Sequence, residues 1–490
     1  MKKYQYLLLA AIAVGLASCE PEFDKEVSNE SYSAGEANFS TYVAVGNSLT
    51  SGYMDGTMYR SGQQYSFPNL LSQQFAIVGG GAFTQPSYED DVNNVGGLLL
   101  GGNVVGATRM IINMSTGGPQ NITGSPTIEV GKLQAKAYNN MGVPGAKSFH
   151  LLAAGYGNLA GVATGKSNPY FVRHATSPTT TVLADAMSMN PTFFTNWIGS
   201  NDVLAYALSG GTGVNQQGNL NPATYGGNDI TDPNVFAQVY STITNTLTSG
   251  GAKGVVATVP YVTAIPHFTT VPYAPLTPAA LGGDAQIDQL NTQLFGVLKQ
   301  VLTAFNAGDR INLLSKTSAN ALLIKDESLP NLSAQITAAA AQNPQLAPLA
   351  PILGQLYGQA RHATKADLFV LGTSSVIGKD SDAGILSQLP ATYKAIFNKI
   401  GVTFPLEDKY ALIPTEQAEI KTATDSFNTT IKTIAASKGL AVADMNDILN
   451  RLVSGIRVAD GQIYTANYFG GLGNMNTVLF SLDGVHPNPR

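Results

Sequence analysis

The run Thr41-Tyr42-Val43-Ala44-Val45-Gly46-Asn47-Ser48-Leu49-Thr50-Ser51-Gly52 sets the reading of the whole chain. Thr41 to Val45 is a short apolar strand, and the glycine turn after it is the usual start of an open α/β sheet. Ser48 follows that strand directly. At the far end stands Asp483-Gly484-Val485-His486-Pro487. An early serine and a late Asp-x-x-His-Pro can supply a nucleophile, its general base and the carboxylate that orients the base. Of the 5 histidines, His150, His174, His267 and His362 have no carboxylate at that spacing and no following proline, whereas His486 has both.

Further strands are expected at Thr192 to Ile198, Gly254 to Val259 and Leu440 to Ala443. Asp232-Pro233 is a strong helix start, an N-cap followed by proline at the first position, and Val235, Phe236, Val239, Tyr240, Ile243 and Leu247 then share one face. Gly250 and Gly251 end that helix. A second helix begins after Pro414, with Ile420, Phe427, Ile431 and Ile434 on one face and Gly439 as its stop. Helix followed by strand, repeated, implies a parallel sheet with helices on its faces. Residues 53–138 and 262–412 are too long for simple connections and read as insertions over that sheet.

The composition is that of a globular chain: 44% hydrophobic and 12% charged residues with 51 glycines over 490 positions. Length alone leaves the number of domains open. A net charge of -5, with no basic cluster longer than Lys2-Lys3, argues against a nucleic-acid partner. The first 19 residues carry Lys2 and Lys3, an apolar run from Leu7 to Leu16, and Leu16-Ala17-Ser18-Cys19. That run is short for a membrane span and has the flanks of a secretory signal. Leu-Ala-Ser-Cys resembles a bacterial lipobox, which implies cleavage before Cys19 and lipidation of this single cysteine, with an ordinary signal peptide as the other reading. Residues 20–40 then read as a flexible tether.

In the first insertion, Gly79-Gly80-Gly81 and Gly96-Gly97-Leu98-Leu99-Leu100-Gly101-Gly102 lack the lysine or spacing of a phosphate loop and read as loops and strand ends. In the second, Leu332 to Leu356 is broken by Pro344, Pro348 and Pro351 into short helices. It fits either a packed helical subdomain or an apolar lid over an acyl pocket. Trp197 reads as a core side chain, while Tyr53, Met54, Tyr59 and Arg60 line a pocket or pack. No His, Cys or acidic cluster has metal-ligand spacing, and no cofactor is expected.

In an open parallel sheet, ligands sit at the carboxyl ends of strands where neighbouring connections diverge. Ser48 and Gly199-Ser200-Asn201-Asp202 each follow a strand, so they are expected to face one another there. Each motif alone also fits a turn, with a capping serine or with Asn and Asp bonding their own backbone.

Taken together in this order, the motifs resemble the SGNH/GDSL hydrolase family. Gly46-Asn47-Ser48-Leu49 stands for its Gly-Asp-Ser-Leu block and Asn140-Met141-Gly142-Val143-Pro144-Gly145 for the second. Gly199-Ser200-Asn201-Asp202 stands for Gly-x-Asn-Asp, and Asp483-Gly484-Val485-His486 for Asp-x-x-His. The resemblance covers the sheet elements and not the insertions. It implies a three-layer α/β/α sandwich with about five parallel strands in the flavodoxin-like order, spanning residues 41–490 with its insertions. It implies Ser48 as nucleophile, His486 as base and Asp483 as its orienting carboxylate. The backbone N–H groups of Ser48 and Gly145 and the Asn201 amide form the oxyanion hole.

The implied activity is hydrolysis of carboxylic esters through an acyl-enzyme. Carbohydrate O-acetyl esterase or acyltransferase chemistry on the same scaffold stands as the alternative, and a non-catalytic surface-lipoprotein binding module as the second. The lipobox implies an exported lipoprotein of the cell envelope; the outer membrane is the expected location, on its periplasmic or surface face, although the residues after Cys19 do not specify the membrane. Two departures stand out. Asn47 replaces the family aspartate, which is not a triad member, so activity is expected to survive. The family usually continues beyond its histidine into a terminal helix, whereas this sequence ends four residues after His486, so the completeness of its C-terminus stays open.

Overall fold

Tyr42–Gly46 (β1) is buried along its whole length, as a strand with parallel neighbours on both sides and cover on both faces must be. The computed structural model describes residues 32–489 apart from 116, 345, 390, 460 and 472. The signal segment, Cys19 and most of the tether lie outside the described residues. The other strands of the central sheet are β2 (Asn140–Gly142), β3 (Phe193–Trp197), β4 (Lys253–Ala257) and β5 (Ala441–Ala443). All pair in parallel, in the order β2-β1-β3-β4-β5. The chain therefore reverses direction across the sheet beside β1, and a crevice opens between β1 and β3 at their carboxyl ends.

The numbered helices are α1 (Ser48–Ser51), α2 (Phe67–Ile77), α3 (Asn201–Leu208), α4 (Pro233–Thr248), α5 (Pro414–Lys438) and α6 (Met445–Ser454). Helix α4 starts as its sequence dictates, with the Asp232 carboxylate accepting from the N–H groups of Asn234 and Val235 at 2.8 and 3.0 Å. Helix α5 stops at Gly439, whose φ of 64° places it in the left-handed region. Phe236 of α4 stacks on Phe427 of α5 with ring centroids 4.1 Å apart.

Side chains alternate across the sheet. Val43, Val45, Phe194 and Val256 enter the large core with α4 and α5, while Tyr42, Ala44 and Phe193 pack on Leu71 and Phe75 of α2. Helix α2 lies within the stretch read as the first insertion, yet it covers one face of the sheet. The remainder of that stretch forms two short antiparallel pairs and a small cluster around Met58, Tyr88, Leu98 and Ile128.

Residues between Val271 and Ile413 build a second hydrophobic core of their own. Leu349, Ile352, Leu353 and Tyr357 are buried in it, so the proline-broken stretch is a packed subdomain and not a lid. Ser333–Ala341 and Ala350–Tyr357 are its helices. Among the described residues, no helix is long and apolar enough to cross a membrane.

Candidate active site

The turn from β1 into α1 is tightly packed. A Cβ on Gly46 would sit 2.1 Å from the Thr50 hydroxyl and 2.6 Å from the Trp197 carbonyl, so only glycine passes between β3 and the first helical turn. Asn47 caps that turn, its side-chain oxygen accepting from the Leu49 N–H at 3.0 Å. Asn is among the residue types that make this cap readily, as Asp is. Ser48 is the first residue of α1 and is buried.

The three residues expected to work together are in direct contact. Ser48 Oγ lies 2.8 Å from His486 Nε2, and His486 Nδ1 lies 2.8 Å from Asp483 Oδ2. Burial pushes the Asp483 carboxyl up, but the His486 charge, its side-chain and backbone hydrogen bonds and that from the Val485 N–H outweigh it. They hold the carboxyl well below the usual carboxylate range. An ionised Asp483 keeps the proton on Nδ1, which leaves Nε2 as an acceptor for the Ser48 hydroxyl. The Tyr53 ring packs against the imidazole with centroids 4.7 Å apart.

The loop that carries Asp483 and His486 is fastened from the far end of the sequence. Asp55 Oδ1 accepts from the Leu482 N–H at 3.0 Å, and the Asp55 N–H donates to Ser481 Oγ at 3.0 Å. The Gly56 N–H donates to Asp483 Oδ2 at 3.1 Å. Tyr59 donates its hydroxyl to Asp55 Oδ2 at 2.8 Å. Asp55 adopts a φ of 53° to make these contacts, a conformation that Asp and Asn tolerate better than most residues. Ser481 completes the clamp by donating to Asp483 Oδ1 at 2.9 Å. Asp55 and Ser481 were not legible as site residues. Asp55-Gly56 is a turn signal in sequence, but nothing there ties it to Leu482.

Gly145 and Asn201 border the same cavity as Ser48 and His486. Gly145 has a φ of 78°, and an added Cβ would meet nothing nearer than 3.9 Å. Against its protein neighbours its glycine requirement is therefore conformational. Among the described residues, neither the Ser48 nor the Gly145 backbone N–H donates to a protein acceptor. The Asn201 amide gives one hydrogen bond to the Ala146 carbonyl at 2.9 Å, and its second N–H remains for a ligand. Asp202 is fully buried and accepts from both the N–H and the hydroxyl of Ser148 at 2.8 and 2.7 Å. It thereby ties the loop after Gly145 to the start of α3.

Two cavities meet at Ser48. A wide one of about 700 Å³ is bordered by Tyr53, Gly145, Tyr170, His267, Leu371 and Tyr468. A narrow one of about 220 Å³ is bordered by Leu49, Trp197 and residues of α6. Trp197, expected in the core, instead walls this narrow cavity, with its ring 5.7 Å from that of Phe67. The strand's last residue lies where the sheet opens, so its side chain meets the crevice.

One carboxylate group has no sequence signature: Glu327, Asp408 and Glu416 bring ligand atoms within 4.8 Å of one another. Burial, reinforced by the neighbouring carboxylates, pushes both Asp408 and Glu416 up to about 8. None of the three lines either cavity at Ser48. No protein-family model, curated protein or solved structure matches this chain.

Proposed function

We propose that the chain is a serine ester hydrolase of the SGNH/GDSL type, acting on carboxylic esters through an acyl-enzyme. The observation that carries this reading is the Ser48–His486–Asp483 relay, with 2.8 Å at each link and 438 positions between Ser48 and His486. The strand order is that of flavodoxin-like doubly wound folds, whose ligand crevice lies between the first and third strands. This supports a three-layer sandwich of the SGNH type, with residues 41–490 as one hydrolase domain.

In the proposed reaction, Ser48 Oγ attacks the ester carbonyl as its proton passes to His486 Nε2. The resulting imidazolium is held by the Asp483 carboxylate. Negative charge forms on the carbonyl oxygen, where the Ser48 and Gly145 N–H groups and the free Asn201 N–H can donate. The intermediate collapses as His486 returns the proton to the leaving alcohol, so an acyl-Ser48 forms and the alcohol departs. Water then attacks the acyl carbon, gives its proton to Nε2, and releases the carboxylic acid with Ser48 restored. Every proton moved in this cycle passes through His486, and no cofactor enters it.

We also propose that the enzyme is exported and held at the outer membrane by lipid on Cys19, through the tether of residues 20–40. Metabolic labelling with a clickable fatty acid tests this: wild type is expected to label and Cys19→Ala not to. For the activity, nitrophenyl acetate hydrolysis is the assay. Ser48→Ala and His486→Ala are each expected to abolish turnover while melting like wild type, and turnover at wild-type rates in both would sink the proposal.

A further inference from the structure

The narrow cavity beside Ser48 has a polarity gradient that selects one kind of ligand. Its polar lining groups, Asn47, Ser48, Ser200, Asn201 and His486, gather at the catalytic end. Beyond them the walls are aliphatic or aromatic, with Met445, Ile448, Leu449 and Leu452 presented by one face of α6. Those four positions follow the spacing i, i+3, i+4, i+7, which places them on one helical stripe. Trp197, Val262, Ile265, Leu479 and Phe480 supply the rest of the apolar lining. A sugar or other polar group in this space would leave its hydroxyls unpaired, which burial penalises. An aliphatic chain has no such penalty and gains with every methylene removed from water.

We infer that this cavity is the acyl-chain site, and hence that the substrate is an ester of a fatty acid whose alcohol portion occupies the wide cavity. The inference rests on the serine-hydrolase reading and goes beyond it by naming the acid and its orientation. At about 220 Å³ the space has room for several methylenes, and an acetyl group would leave most of it empty. An octanoyl chain therefore serves as the probe of this site.

The wide cavity is the roomier of the two. At about 700 Å³ it is bordered by Tyr53, Tyr170, Leu208, His267, Leu371 and Tyr468, and its volume suits a bulky alcohol. The two cavities share Ser48, Asn201, Leu204, Val485 and His486. An ester whose carbonyl lies at Ser48 can thus extend one arm into each. Helix α6 also supplies the means of altering the acyl site without disturbing the core, because Ile448 is 41% exposed at its wall.

The test uses the full chain and two series of esters. Nitrophenyl esters of two to sixteen carbons vary the acid; alkyl acetates vary the alcohol. Wild-type kcat/KM is expected to rise about fourfold per methylene along the acid series, as burial of each group predicts, and to level off within the series once the cavity is filled. The alcohol series should show no such increment. Ile448→Trp is expected to cut the octanoyl-to-acetyl ratio of kcat/KM at least tenfold, and Ile448→Ala to move the optimum to longer acids. A flat acid series, an optimum unmoved by either variant, or the methylene increment appearing in the alcohol series would overturn the acyl assignment while Ser48-dependent hydrolysis persists. Loss of Ser48 dependence itself would instead overturn the hydrolase reading and this inference with it.

Discussion

Replacing Asp55 with glycine tests whether the first insertion holds the catalytic loop in place. The substitution removes the acceptor of the Leu482 N–H at 3.0 Å and of the Tyr59 hydroxyl at 2.8 Å. Glycine accepts the φ of 53° without strain, so the backbone bond to Ser481 can survive. Two bonds to a partly buried carboxylate are together worth roughly 2–4 kcal/mol, so stability should fall by that order. Catalysis should suffer separately. Leu482 immediately precedes Asp483, and a shift of about 1 Å at a positioned group costs about 100-fold in rate. The expected result is kcat for nitrophenyl acetate reduced roughly 30- to 100-fold with KM changed less than about threefold. Asp55→Asn keeps an acceptor for Leu482 and tolerates the same backbone angle, so it should recover most of kcat. If Asp55→Gly melts earlier but keeps kcat within about twofold, the clamp serves the fold and not the triad, and the reasoning is wrong.

Three further outcomes are expected. Asn201→Ala removes a side-chain donor to the oxyanion and should lower kcat by about 100- to 1000-fold; steady-state kinetics showing an effect on KM alone would remove Asn201 from that role. Gly145→Ala forces a Cβ onto a residue at φ 78°, costing about 1–2 kcal/mol of strain. It should lower kcat more than its small change in melting temperature would suggest, and an unchanged kcat would show that the Gly145 N–H does not contact the reacting oxygen. Glu416 is raised from 4.5 to about 8, chiefly by burial, so the folded state holds a proton that the unfolded chain has released. Its burial therefore lowers stability progressively as pH rises from about 4.5 to about 8 and by a constant amount above that. Thermal melts of Glu416→Gln should accordingly gain on wild type more at pH 9 than at pH 5, and an equal offset at both would contradict the shift.

The sheet was legible where strands are long and apolar or are announced by strong punctuation. Asp232-Pro233 marked α4, and Gly439 marked the end of α5. Strands β1, β3, β4 and β5 fell within two residues of the expected positions, as hydrophobic runs between glycines allow. Strand β2 is different: Asn140-Met141-Gly142 has no apolar run and only 3 residues, so pairing with β1 makes it a strand and local propensity does not. Helix α2 escaped assignment to the core because a long stretch between strands looks like an insertion until its apolar face is seen against Tyr42.

Within the candidate site, Ser48, Asp483 and His486 were legible because their spacing and order carry the chemistry. Asp55 and the narrow cavity were not. Their contribution depends on which distant loops meet, Asp55 with Leu482 and α6 with Trp197, and residue types record no such encounter. Trp197 shows the same gap, since strand position alone does not tell whether a terminal side chain enters the core or the crevice.

The central claim is that Ser48 is a nucleophile activated by His486 and Asp483. Its most direct test is labelling with a fluorescent alkyl fluorophosphonate, followed by intact mass and peptide mapping. Wild type is expected to take up one phosphonate, on Ser48, with Ser48→Ala taking up none and His486→Ala labelling at least a hundredfold more slowly. A label that maps to another residue, or that appears at the wild-type rate in His486→Ala, would contradict the claim.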